Sequence, residues 1–72
     1  MDVEFRRKGT KWVAEVWENL YEMQQSDTMS EERYVELNNW CVNTFGYHSR
    51  TAYHIFEFKK RSDLNWFILM WT

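Results

Sequence analysis

Seventy-two residues with a net charge of −2, one Cys, no Pro, five Trp, four Tyr and five Phe make a single domain and leave no room for a second. The lone Cys41 excludes a disulfide framework, and Cys41, His48 and His54 lack the paired spacing of a structural zinc site. A chain this short without staples has to be held by dense aromatic packing, by a second subunit, or by both.

The opening residues Met1 to Arg6 lack the apolar stretch of a signal peptide. The longest apolar run, Trp66 to Trp71, is far too short for a bilayer. An unpaired Cys with no export signal predicts a cytoplasmic protein. Charge is unevenly spread. Arg6, Arg7, Lys8 and Lys11 make the start mildly basic; Glu15, Glu18, Glu22, Asp27, Glu31, Glu32 and Glu36 make the middle acidic; Arg50, Lys59, Lys60 and Arg61 turn it basic again. Most such runs mark solvated faces.

In chain order, Val3 and Phe5 alternate with Asp2, Glu4 and Arg6, which predicts a short strand over 2–7. Gly9 then breaks it. Residues 10–25 carry two readings. Val13, Val16, Trp17, Leu20 and Met23 follow helical spacing, with Glu15, Glu18 and Glu22 on the other side. Residues 11–17 are also rich in β-formers and would pair with 2–7 across the Lys8-Gly9 turn. The strand leaves a long connection from about Asn19 to Met29, so the helix is preferred. Ser30 to Phe45 predicts a helix: Ser30 as N-cap, Glu31 and Glu32 in the first turn, a stripe of Tyr34, Leu37, Trp40 and Cys41, and Gly46 at the C-terminal stop.

Residues 51–60 alternate Ala52, His54, Phe56 and Phe58 against Tyr53, Ile55, Glu57 and Lys59, predicting a strand. The tail from Leu64 to Trp71 is apolar at every period. It reads either as a short helix capped by Ser62 or Asp63, or as the second arm of a hairpin turning at 61–63. Either way it belongs to the core. The expected architecture is α+β, a small antiparallel sheet packed on one or two helices in a single domain.

The run Phe56-Glu-Phe-Lys-Lys-Arg-Ser-Asp63-Leu-Asn-Trp66-Phe67-Ile-Leu69-Met-Trp71, preceded by Trp40-Cys41-Val-Asn-Thr-Phe45-Gly46, resembles small uncharacterised proteins of T-even-like bacteriophages. The likeness covers roughly the last half of the chain. Its motif consists of core residues, so it implies a fold and an origin and carries over no functional residue.

No pattern of catalysis stands out. Cys41 lies beside Trp40 on the apolar stripe of the best helix, where a free Cys acts as a small hydrophobe and lacks the cationic, exposed setting of a reactive thiol. The carboxylates Glu15, Glu18, Glu22, Glu31, Glu32 and Glu36 sit in no apolar run that would raise a pKa for acid–base work. His48 lies in a loop without the glycines of a phosphate cradle. A non-enzymatic protein with no cofactor and no metal is expected.

Two binding readings remain. In the first, the aromatics exceed what the interior can hide. Trp12, Trp17 and Tyr21, beside Glu18 and Glu22, then form a surface for another protein. An acidic flank of that kind suits a basic host surface such as a nucleic-acid-binding protein, and a phage-encoded modulator or inhibitor would fit the resemblance. The same surplus predicts a homodimer through Trp12, Trp17 or Tyr21. In the second, Arg50, Tyr53, Lys59, Lys60 and Arg61 form a basic, aromatic surface for single-stranded nucleic acid. Overall acidity weighs against it.

Overall fold

The computed structural model describes residues 1–72. Strands β1 (Asp2–Lys8) and β2 (Lys11–Trp17) come first, then helix α1 (Glu31–Phe45), a hairpin of β3 (Arg50–Ala52) and β4 (Ile55–Phe58), and helix α2 (Arg61–Trp71). The strands form one antiparallel sheet in the order β1-β2-β4-β3. This is the expected small α+β architecture, with both helices on one face of the sheet.

The preference for a helix over residues 10–25 does not hold: residues 11–17 are one of the two central strands. Lys8 pairs with Lys11 across Gly9 and Thr10, and the ladder runs on to Asp2↔Trp17. Gly9 takes a φ of 61° and no other residue of the turn needs a positive φ, which suits a tight hairpin turn with glycine in its first central position. The helical spacing arises because a central strand is apolar on both faces. Ala14 and Val16 point to the helices and belong to the core. Val13, on the opposite face, is still only 2% exposed. When both faces are covered, the period of two disappears from the sequence.

The long connection that weighed against the strand exists and is tied down by hydrogen bonds. Asn19 and Asp27 form an isolated bridge, and the Glu18 amide donates to the Asp27 carbonyl at 2.8 Å. The Leu20 amide donates to the Asp2 carboxylate at 2.9 Å. Its ends are drawn together as in an Ω-type loop, and buried Met29 anchors its end in the core.

Helix α1 forms as its sequence predicts. The Ser30 hydroxyl accepts from the Arg33 amide, and Gly46 closes the helix at a φ of 85°. Tyr34, Leu37 and Cys41 are buried. Residues 51–60 do not make one strand. The chain turns at Tyr53-His54 between β3 and β4, although the His54 carbonyl still accepts from the Val16 amide of β2, and a register shift between Arg50 and Ala52 interrupts β3. Of the tail's two readings the helix is the observed one. It starts at Arg61 with Lys60 as an N-cap that makes no side-chain hydrogen bond. Neither Ser62 nor Asp63 caps it, and the Asp63 carboxylate accepts from the Tyr47 hydroxyl at 2.7 Å instead. Leu64 and Phe67 of α2 close the core over Phe56 and Phe58; the Phe67 ring lies 5.4 Å and 5.2 Å from theirs. No helix is long and apolar enough to cross a membrane.

Candidate functional site

The fold sorts the charged residues to the two ends of the sheet. At one end the Glu18–Asp27 loop meets the start of β1. Glu4, Leu20, Tyr21 and Glu22 line a shallow recess there. Tyr21 is 42% exposed and Leu20 is also exposed. The molecule's three salt bridges are Arg6–Glu15, Arg33–Glu36 and Arg50–Glu31. Glu4, Glu18, Glu22 and Asp27 take part in none of them, so this end carries uncompensated negative charge around exposed apolar side chains.

The opposite end is basic. The Lys8↔Lys11 and Trp12↔Phe58 pairings bring Arg7, Lys8, Lys11, Lys59, Lys60 and Arg61 to the same end of the sheet. Trp12 meets two of these cations: the guanidinium carbons of Arg7 and Arg61 are 5.4 Å and 5.5 Å from its ring centroid. Such stacking keeps the arginines near the ring while their charge stays in water.

Sequence reasoning groups Trp12, Trp17, Tyr21, Glu18 and Glu22, and the structure brings only part of that group together. Trp12 and Trp17 stand on opposite faces of β2, because an odd separation along a strand reverses the side. Trp17 faces away from the helices, with its ring 4.4 Å from that of His54. Tyr21 and Glu22 do meet, in the recess with Glu4 and Leu20. Neither Glu4 nor Leu20 is singled out by the sequence, since the loop that carries Leu20 to β1 is set by tertiary hydrogen bonds.

The group Arg50, Tyr53, Lys59, Lys60 and Arg61 is also divided. Tyr53 turns at one end of β4 and Lys59 follows its other end. Arg50 binds Glu31 through two hydrogen bonds of 2.7 Å and 2.6 Å, and its guanidinium lies over both Tyr34 and Tyr53. That pairing holds the Glu31 carboxyl below its ordinary value and raises Arg50, so Arg50 is committed within the fold. Lys59, over the Tyr47 ring at 4.7 Å, Lys60 and Arg61 join the basic end with Trp12.

The nucleophile and histidines are each engaged separately. Cys41 is fully buried. Burial pushes its thiol up to about 11, and the neighbouring Ser49 hydroxyl offsets only part of that, since the Ser49 oxygen finds no well-formed partner. A thiol so placed is a poor nucleophile. His48 shares a hydrogen bond of 3.0 Å with Asn38, whose carbonyl oxygen accepts from the Ser49 and Arg50 amides. No group of three or more His, Cys, Asp or Glu side chains is gathered as a metal would need.

A third exposed feature lies on α2, where Trp66, Leu69 and Met70 share the face turned from the core; Leu69 is 72% exposed. No protein-family model matches the chain, and no curated protein and no solved structure matches it significantly.

Proposed function

We propose that this is a non-enzymatic protein-binding domain whose acidic end receives a basic segment of another protein. One observation carries the reading: Leu20 and Tyr21 stand exposed among Glu4, Glu22, Glu18 and Asp27, none of which has a cationic partner in the fold. Exposed aromatic and apolar side chains ringed by one sign of charge supply an anchor and a steering field together. Taken with the likeness of the C-terminal half to small proteins of T-even-like phages, the reading becomes a phage-encoded modulator or inhibitor, acting in the host cytoplasm on a basic protein such as one that binds nucleic acid.

The test is capture from bacterial lysate on immobilised wild-type protein and on Tyr21→Ala/Glu22→Lys. A partner of basic character should be retained by the wild type, eluted by moderate salt, and lost about tenfold or more with the double variant. A partner held equally by both proteins would refute the assignment of this site.

A second reading, binding of single-stranded nucleic acid, is supported by the basic end. There Arg7, Lys8, Lys11, Lys59, Lys60 and Arg61 gather at one end of the sheet, and half-buried Trp12 would stack on a base in exchange for the Arg7 or Arg61 guanidinium over its ring. Titration with single-stranded DNA and RNA across salt separates the two: a steep salt slope that Trp12→Ala flattens or abolishes would favour it over the first.

A further inference from the structure

β1 is an edge strand seven residues long, and all of it but Val3 is exposed. Its open side can be read from the ladder. The two-residue turn makes Lys8 and Lys11 a hydrogen-bonded pair, and bonded pairs recur at every second residue. Lys8, Arg6, Glu4 and Asp2 therefore spend their backbone groups on β2. The Val16 amide, which donates to the His54 carbonyl at 2.8 Å on the β4 side, agrees with this alternation. The N–H and C=O groups of Val3, Phe5 and Arg7 point away from the sheet, and no residue of the chain accepts from or donates to them. Long edges of this kind are normally blunted or covered.

The side chains on this edge are ordered by charge: Asp2 and Glu4, then Phe5, then Arg6, Arg7 and Lys8. We infer that β1 pairs with β1 of a second copy, antiparallel about a two-fold axis through Phe5, to make a continuous eight-stranded sheet. That register sets Glu4 opposite Arg6 and Asp2 opposite Lys8, on the face without helices, and repeats both pairs by symmetry. It sets Phe5 against Phe5 and Val3 against Arg7 on the helix side. Val3, Phe5 and Arg7, whose backbone groups are free, become the hydrogen-bonded residues. Moving the axis to Glu4 or to Arg6 would set Glu4 against Glu4 or Arg6 against Arg6 and leave two opposite-charge pairs in place of four. The other two-folds that keep the bonding pattern, at Val3 or Arg7, leave most of the strand unpaired. Opposite charges directly across a ladder stabilise it and like charges destabilise it, so the register is selected as well as allowed.

The remaining geometry admits the pairing. The helices pack over the core strands and leave the helix side of β1 open, where Phe5 is 56% exposed; the helices of the two copies would stand either side of the joined β1 strands. The two-fold also lays the acidic end of each copy beside the basic end of the other, as two opposed dipolar molecules attract. Asp2 keeps its bond to the Leu20 amide through one oxygen and offers the other to Lys8 of the second copy.

The decisive experiment is sedimentation of wild type, Glu4→Arg, Arg6→Glu and the swapped Glu4→Arg/Arg6→Glu, with amide exchange at Val3, Phe5 and Arg7 followed by NMR. Wild type should associate, each single reversal should weaken association about tenfold or more, and the swap should restore it. The three amides should be protected in wild type and in the swap, and exposed in each single variant. Glu4→Arg should fold, since Glu4 lies opposite Glu15 in the β1–β2 ladder and the change relieves a like-charge pair. The amide measurement on wild type needs no variant at all. A wild type that stays monomeric with these amides in fast exchange, an association untouched by the single reversals, or one the swap does not restore would each overturn the inference. The proposed basic partner is judged separately, because Tyr21→Ala/Glu22→Lys leaves residues 4 and 6 in place.

Discussion

Tyr34 ties three parts of the chain together through one hydroxyl. It donates to the Val16 carbonyl at 2.6 Å and accepts from the Met29 amide at 3.2 Å, both in the interior. Tyr34→Phe keeps the ring and strands these buried backbone groups. It should cost about 1–2 kcal/mol in chemical denaturation. Ser49 is the opposite case: fully buried, with an oxygen that finds no partner, so Ser49→Ala should be neutral or stabilise by up to about 1 kcal/mol. Buried Cys41 and half-buried Tyr47 predict an alkaline limit. Cys41 lies at about 11 against an ordinary 9.0, and Tyr47 at about 12 against 10.0. Burial leads in both, because it disfavours the charged form. The folded state therefore holds these protons more tightly than the unfolded chain. The associated stability is fully present below the unfolded values and is lost as pH rises through the folded ones. The melting temperature should be level in this respect to about pH 9 and fall between 9 and 12. Cys41→Ala should lower the whole curve and flatten its part between 9 and 11.

At the scale of elements, the two glycines set where strands and helix end. Gly46 takes a φ of 85° as the last turn closes, with its amide bonded to the Val42 carbonyl. An added Cβ there meets no neighbouring atom, so the effect of Gly46→Ala is backbone strain alone, about 1–2 kcal/mol. The C-terminal helix contributes more. Phe67 is fully buried between Phe56, Phe58 and Trp40, and Phe67→Ala should cost about 3–5 kcal/mol. A chain ending at Asp63 also loses Leu64 and the Trp71 ring that meets Trp40 edge-on at 5.9 Å. It should show no cooperative melt in calorimetry; a sharp transition in that truncated chain would mean that α2 is dispensable to the core. The exposed face of the same helix is a separate matter. Leu69→Glu should leave the melting temperature nearly unchanged, since that side chain is largely in water.

For the molecule as a whole, charge is arranged as a dipole rather than as a net excess. The net charge of −2 conceals an acidic recess at one end of the sheet and a group of six cations at the other. Between exposed charges such attraction is screened beyond about 10 Å at 0.1 M salt. Any association that uses these ends should therefore weaken as salt is raised from about 0.05 M to 0.5 M. Association driven by the apolar face of α2 would hold or strengthen under the same change. Sedimentation across that salt range at constant protein concentration distinguishes the two, and no substitution is required.

Local signals were enough for the parts of this fold that are built locally. Ser30, Glu31, Glu32 and Gly46 mark α1 because capping and dipole effects act within one turn. Val3 and Phe5 mark β1 because one face of an edge strand stays wet and the alternation survives. The acid-to-base order about Phe5 is likewise written along seven consecutive residues. Residues 11–17 needed the tertiary structure. A central strand covered on both sides loses its period of two, and only pairing with β1 and β4 decides it against a helix. The same holds for the break at Tyr53-His54, where the His54 ring meets that of Trp17. It holds again for the recess, in which a hydrogen bond between Leu20 and Asp2 joins residues eighteen apart. Contacts across such distances depend on where the chain returns, and neither composition nor periodicity records that.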